Sequence, residues 1–455
     1  MAEVKLNEQV NPKLEQGTEG ISKPFVNIES SLSKIEGGFN IIKAILPDAE
    51  NLDFKNKAQR NIFLSEQRFA DKRKRLASDL KKWINLLSTD KKTPSEFVEL
   101  CNQEEEKYTK LFKKNLGYAL EATQNLEREY RTLDIFFKNT GSDRLADVRI
   151  INVNKNDLRD SQSDSSLAVV DLLEQAYNRL SLKNNYGLLI MPGYVLTEPS
   201  ILKPWAEKAR KYRLMLISDH ADETLYDDLV KNTENYRGSD PHLKNVILAA
   251  NWLLGRKKEE IANEEDHFYI PPSAALAGMI YNNNNKNISQ PAANKIYGTV
   301  NEIAGVRLDL LRTEIETLME KQVIPMVFSE GRVMAFNDTT LCESSDKAKE
   351  SYAITRVFDW VGKVMINFLT DEALANWDTI TSPPILKSKI QEFLNAQKKA
   401  RLFQDYTIKD PKQDIDTKEI TVDMEITPYF TAKNFNVKLS ASQGDNGFNK
   451  DCEVQ

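Results

Sequence analysis

The chain has 455 residues, more than a single hydrophobic core readily absorbs, so two or three packed subdomains are expected. Apolar residues make up 40% and charged residues 29%, which excludes a largely disordered or fibrous chain. With 62 basic against 68 acidic residues, net charge −6, there is no positive excess to draw in nucleic acid, and protein partners are expected instead.

Residues 1–24 are polar and without periodicity and are expected to form a flexible arm. The arm has no apolar signal core, and no later run approaches the roughly 18 apolar residues of a membrane span, so a cytoplasmic protein is expected. From Val26 the residues Ile28, Leu32, Ile35, Phe39, Ile42 and Leu46 fall at three- and four-residue steps, one face of a helix interrupted by Gly37-Gly38. A helical N-terminal subdomain is expected over 25–140. Its first stripe is Phe63, Leu64, Leu76, Leu80, Trp83, Ile84 and Leu87, and a second helix starts at Thr93-Pro94. The basic run Arg68, Lys72 to Arg75, Lys81 and Lys82 reads as a solvated helix face rather than a dock for an acidic surface.

The region 141–400 alternates strand and helix and is expected to be an α/β core with a parallel sheet covered on both faces. DVRIINV at 147–153 reads as a strand, and Asp164 as the cap of a helix with Leu167, Val170, Leu173, Tyr177 and Leu180 inward. LLIM at 188–191 and LMLI at 214–217 read as strands flanking a helix over 199–212. Asp240-Pro241 predicts a helix through Leu243, Val246, Ile247 and Leu254, ended by Gly255. Residues 268–280 and the Asn282 to Asn285 run read as a loop around a small-residue segment, exposed at the asparagines. A hairpin turning near Glu330-Gly331, a long helix from Tyr352 and another after Ser382 follow.

Near the C-terminus Ile420, Val422, Met424 and Ile426 alternate with polar residues, as do Phe435, Val437 and Leu439, predicting two half-buried strands within 401–442 that pair through a corner at 432–434. Residues 443–455 read as a flexible tail. A terminal strand pair leaves an edge that another chain can extend.

Reactive constellations are sparse. The sequence has no Gly-rich phosphate loop, HExxH, CxxC or GxSxG, and Cys101, Cys342 and Cys452 are too scattered for a disulfide framework or metal site. The one candidate is Asp219-His220-Ala221-Asp222-Glu223, at the carboxyl end of an expected parallel strand, where α/β sites gather. One His beside three carboxylates is read as a polar strand-end loop, so no catalytic, cofactor or metal residues are assigned and no enzyme is expected.

Several segments in order resemble the large sheath protein of type VI secretion, the TssC family, and more distantly the tail sheaths of contractile phages. The family has a Trp-Arg-Gly-Leu motif on a helix, then Asn-Thr, then a strand ending Asn-Val/Ala-Ser-Lys. Tyr130-Arg131-Thr132-Leu133, Asn139-Thr140 and Ile151-Asn152-Val153-Asn154-Lys155 stand in those places, with Arg131 and Leu133 keeping the pattern and Tyr130 and Thr132 departing from it. The likeness runs over roughly 127–442, through Tyr186 to Gly193, Asp240 to Arg256, Pro271 to Gly278 and ITPYFTAKNFNVKL at 426–439, and the N-terminal third marks a divergent branch. The resemblance implies a cytoplasmic helical sheath of heterodimers with a small TssB-like subunit, wrapped around an Hcp-like inner tube, seated on a baseplate and recycled by a ClpV-type ATPase. The ATPase would grip an N-terminal helix, for which the segment with Ile35, Phe39 and Ile42 is the candidate, while packing of that segment on the helical subdomain remains open. It also implies that the terminal strands link neighbouring protomers. The alternatives are the sheath of another contractile particle, and an α/β enzyme using the Asp219 to Glu223 loop.

Overall fold

The computed structural model describes residues 64–87, 93–141, 148–179, 182, 185–193, 198–234, 236–261, 264, 266–284, 287–372, 376–378, 380–414, 416–433, 437–442 and 449–454. The chain separates into two compact units, Met1–Leu116 and Gly117–Gln455.

In the first unit α1 spans Ala70–Leu87, and α2, Pro94–Asn139, starts there and ends in the second unit. The start of α2 follows from local chemistry. Thr93 Oγ1 accepts the Glu96 N–H at 3.4 Å while the Glu96 carboxylate accepts the Thr93 N–H at 2.9 Å, and Pro94 takes the first position, where an N–H would have no partner. Leu64, expected inward, is exposed, and Phe63 and the Ile35, Phe39, Ile42 segment lie outside the described residues.

The second unit is built on a five-stranded sheet in the order β1-β2-β3-β6-β7. Its strands are β1, Leu188–Met191, β2, Met215–Asp219, β3, Val246–Ala250, β6, Ile324–Ser329, and β7, Arg332–Ala335, with β4, Leu253–Arg256, and β5, Phe268–Ile270, forming a separate antiparallel pair. The first four strands of the sheet are parallel, and β7 returns antiparallel through the turn at Glu330-Gly331. Helices α3, Asp164–Tyr177, α4, Pro199–Lys211, α5, Tyr226–Thr233, α6, Ser273–Asn284, and α7, Arg312–Glu320, surround it. Alternate strand residues serve opposite faces: Met215, Ile217, Ile247 and Ala249 pack with α6 and with Ile135 and Phe136 of α2, whereas Leu216, Val246 and Leu248 pack with Val169, Leu173, Ile201 and Trp205 of α3 and α4. Gly278 permits the approach of α6 to α2, because a Cβ there would stand 2.5 Å from the Phe136 carbonyl oxygen.

Three expectations change here. Asp240 does cap, its carboxylate accepting the His242 N–H at 2.9 Å, but only a 3-10 turn, Pro241–Asn245, follows before β3 and then β4. VILAA is buried throughout, and a short apolar run with β-branched residues suits a central parallel strand. Residues 148–154 form no strand, and Val148, Ile150 and Ile151 are exposed. The segment expected as loop is β5 followed by α6, with Ala274 to Ala277 and Asn283 buried, because small residues let this helix enter the core. At finer scale, Ser163 rather than Asp164 caps α3, accepting the Ser166 N–H at 3.1 Å, and Leu167 faces outward.

A further core joins α8, Tyr352–Asp371, to α9, Ser382–Lys399, through Val357, Val361, Met365, Leu386, Ile390 and Leu394. Over it lies a ribbon of β8, Asp405–Ile408, β9, Lys412–Gln413, β10, Ile420–Thr421, and β11, Met424–Thr427, in which β8 pairs with β11 and β9 with β10. The expected pairing of 420–426 with 435–439 is therefore not formed. β12, Val437–Ser442, pairs instead with β13, Asn449–Val454, inside the stretch expected to be a tail. No helix among the described residues is long and apolar enough to cross a membrane.

Candidate functional site

The Asp219 to Glu223 segment sits at the carboxyl end of β2, as expected, and its side chains are engaged in separate structural contacts. Asp219 is fully buried and accepts three hydrogen bonds: Ser273 N–H at 2.6 Å, Ser273 Oγ–H at 2.5 Å and Gly193 N–H at 2.7 Å. Burial pushes its carboxyl up to about 7 against the pull of those donors. His220 is buried, its ring edge-on to Tyr236 at 5.8 Å, and burial lowers it to about 4, so it is neutral at pH 7. Asp222 pairs with Arg307 at 3.4 Å, and Glu223 accepts the Asn232 amide at 2.8 Å. The arrangement ties the end of β2 to α6 and to the loop after β1. Among the described residues no group of three His, Cys, Asp or Glu is placed to hold a metal ion.

The Tyr130 to Leu133 motif divides between inside and outside. Arg131 donates from Nη1 to the Gly255 carbonyl at 2.9 Å and pairs through Nε with Glu127 at 2.8 Å, and Thr132 is buried. Arg256, 4% exposed, joins this group by binding Glu127 and Glu264, which holds Glu127 below the usual carboxylate range. Tyr130 and Leu133 point to solvent. Asn139 is buried, donates to the Ile135 carbonyl at 2.8 Å and accepts the Asn301 N–H at 2.8 Å, fastening the end of α2; Asn152 is exposed. Beside β1, which is an edge of the sheet, lies an apolar groove of about 520 Å³ between Val148 to Val153 and Tyr186 to Met191.

At the C-terminus Val422, Met424 and Ile426 face the α8 and α9 core, as their alternation predicts, while Ile420 is exposed. Phe435 lies outside the described residues, and Val437 and Leu439 belong to β12. Sequence reasoning missed β8 and β13, the true partners of β11 and β12. Among the described residues each resulting sheet has two strands, which leaves main-chain donors and acceptors along its outer edges without a strand partner there. The start of the chain beyond β11 is fixed by Thr431, whose Oγ1 donates to Asp338 Oδ2 at 2.9 Å, the oxygen that also accepts from Ser351 Oγ at 3.0 Å. These residues border a cavity of about 540 Å³.

Comparison with known proteins gives three family matches in chain order. The TssC/VipB-like N-terminal region matches residues 27–116, the type VI secretion system TssC/VipB central domain 118–343, and the TssC/VipB-like C-terminal domain 351–455. Among curated proteins none matches the chain significantly. Two solved structures are similar in part. One is a chain of the anti-feeding prophage baseplate, 13% identical with a TM-score of 0.48 over 69% of this chain and 80% of that one. The other is a sheath tail protein from Desulfitobacterium hafniense, 10% identical with a TM-score of 0.40 over 58% of this chain and 60% of that one. The matched regions extend well beyond the segments in which the sequence motifs lie, reaching both the helical N-terminal unit and the C-terminal strands, and the chain belongs to the TssC/VipB family of type VI secretion sheath proteins.

Proposed function

We propose that this chain is the large subunit of a type VI secretion contractile sheath, acting in the cytoplasm as a structural protein and not as an enzyme. It forms a heterodimer with a small TssB-like subunit, polymerises helically around an Hcp-like inner tube from a baseplate, and contracts to drive that tube. The observation that carries this reading is the family match from 27 to 455, together with the β8–β11 and β12–β13 sheets, to which no third strand pairs among the described residues. β12 and β13 act as an arm that adds to strands of a neighbour, main-chain pairing giving direction and side-chain alternation giving register. Contraction moves subunits as rigid bodies with the linked strands intact, driven by strain stored in the extended polymer. A ClpV-type ATPase dismantles the contracted form by gripping the segment with Ile35, Phe39 and Ile42.

The test is electron microscopy of the chain produced with its small partner. Tubes that shorten on contraction support the reading, and discrete particles with no polymer refute it. The sheath of another contractile particle is separated from this reading by which small subunit and which inner tube protein co-purify with it.

A further inference from the structure

The cavity of about 540 Å³ that Thr431 and Asp338 border holds hydrogen-bond acceptors that the chain itself leaves unused. Asp338 is 5% exposed, and while its Oδ2 accepts from Thr431 and Ser351, its Oδ1 has no hydrogen-bond partner among the described residues. Gln322, 4% exposed and also on the cavity wall, donates from Nε2 to the Cys342 carbonyl at 2.7 Å, but its Oε1 is buried with no donor. Buried acceptors are ordinarily paired, and one left without a donor costs free energy that a bound donor would recover. Two buried residues of one cavity therefore present open acceptors, and one of them carries a carboxylate.

The cations on the cavity wall do not meet this need. Lys347 is paired with Glu350 at 2.9 Å, and Lys433 is exposed with no ion pair among the described residues. Glu343 is held by Arg237 at 3.0 Å, whereas Glu320 on the same wall has no ion pair among the described residues. No three His, Cys, Asp or Glu among the described residues stand together to hold a metal ion, and the volume suits a larger cation. Met319, Ile354 and Phe430 add an apolar lining, the kind of surface along which Lys and Arg lay their methylenes while the charged head reaches polar groups. An ammonium brings three N–H donors and a guanidinium five, and their bonds to a carboxylate are the strong, charge-assisted kind.

We propose that this cavity is a binding site for an organic cation, a guanidinium or ammonium group on an alkyl chain, whose head donates to Asp338 Oδ1 and Gln322 Oε1 and whose stem packs on Met319, Ile354 and Phe430. Glu320 adds attraction from the wall, and Lys433 opposes it. A free alkylamine or alkylguanidine and an Arg or Lys side chain of a polypeptide share this chemistry. The site is made by side chains of the second unit alone and does not depend on the sheath reading.

The experiment is calorimetric titration of the full chain at low salt with n-butylguanidinium and with N-butylurea, which keeps the shape and loses the charge. The guanidinium should bind about tenfold more tightly than the urea. Asp338→Asn should weaken guanidinium binding about tenfold, Glu320→Gln about twofold to threefold, and Lys433→Gln should tighten it about twofold. Glu320 and Lys433 are exposed, so circular dichroism and melting should be unchanged in their variants, and the test stands on them where Asp338→Asn disturbs the tie to Thr431. The peptide acetyl-Gly-Arg-Gly-amide separates the sources: binding equal to or tighter than that of n-butylguanidinium assigns the site to a side chain of a polypeptide, and weaker binding assigns it to a free cation. No binding of n-butylguanidinium, equal affinity for N-butylurea, or affinity indifferent to both Glu320→Gln and Lys433→Gln would each overturn the proposal.

Discussion

Asp219 holds the first turn of α6 from the neighbouring strand, Oδ1 accepting the Ser273 N–H at 2.6 Å and Oδ2 the Ser273 hydroxyl at 2.5 Å. Removing the carboxylate strands three donors in a fully buried place, so Asp219→Ala should cost about 3 to 5 kcal/mol in urea unfolding. Asp219→Asn should cost less, because its amide oxygen still serves Ser273 while the Gly193 N–H at 2.7 Å meets an NH₂ group.

The same residue sets a pH dependence. Its carboxyl is raised from 3.8 to about 7 in the fold, so between those values the native state holds a proton that the unfolded chain has released. The stabilising contribution is therefore complete below about pH 4 and is lost as pH rises through 7, at a slope of up to about 1.4 kcal/mol per pH unit. Stability measured at steps from pH 4.5 to 7.5 should show this fall in the wild type and a flatter profile in Asp219→Asn. Equal slopes in the two proteins would contradict it.

Gly278→Ala drives a Cβ to within 2.5 Å of the Phe136 carbonyl oxygen, where backbone rather than a mobile side chain must give way. A loss of roughly 2 to 4 kcal/mol is expected from this overpacking. Gly187→Ala is the matched control, since nothing lies within 4 Å of its Cβ, and its effect should stay below about 1 kcal/mol.

Arg256 is 4% exposed and holds both Glu127 and Glu264. Arg256→Met leaves Glu264 without this cation and Glu127 with Arg131 alone, both part-buried, for which a loss of about 3 to 5 kcal/mol is expected in thermal or urea unfolding. A double change of Arg256→Met with Glu127→Gln should recover part of it. If the double variant is no better than the single one, the pair does not act as a unit.

Within the C-terminal region the two faces of β11 should respond differently. Met424→Asp sets a charge against the α8 and α9 core and should unfold the ribbon, whereas Glu425→Lys should leave circular dichroism and melting unchanged. Truncation after Lys433 removes β12 and β13, and is expected to spare the fold and the heterodimer while abolishing tubes seen by electron microscopy.

What the sequence made legible were the elements whose pattern is local and strong. LLIM, the β6 and β7 turn, and helices α8 and α9 all combine an apolar period with a start or stop signal of their own. The region after Asp240 misled because its capping chemistry is genuine yet serves a single 3-10 turn, and only burial on both faces decides that VILAA is a strand. β8 shows just Tyr406 and Ile408 in alternation, and β13 is mostly polar, so neither outcompeted the stronger pattern at 420–426 as a recognisable strand. The buried state of Asp219 was beyond sequence reasoning, since its donors stand 26 and 54 residues away. The solvent-facing halves of the Tyr130 motif needed the core side of α2 to be known first.

The register of the ribbon carries a mechanical consequence. Thr427 at the end of β11 lies opposite Asp405 at the start of β8, so the connection to the arm and the connection to α9 leave the ribbon from the same end. A pull between them would open the β8 and β11 ladder like a zipper, one rung after another, because the hydrogen bonds lie across the strands and the load reaches the last pair alone. The bond from Thr431 to Asp338 stands ahead of that pair on the path of the load. Asp338 in turn joins Ser351 at the start of α8, so tension entering through the arm can pass into a twenty-residue helix before it reaches the ribbon. Thr431→Val, which keeps the shape and removes the donor, should lower the force at which the ribbon peels in single-molecule pulling while leaving its thermal stability nearly unchanged.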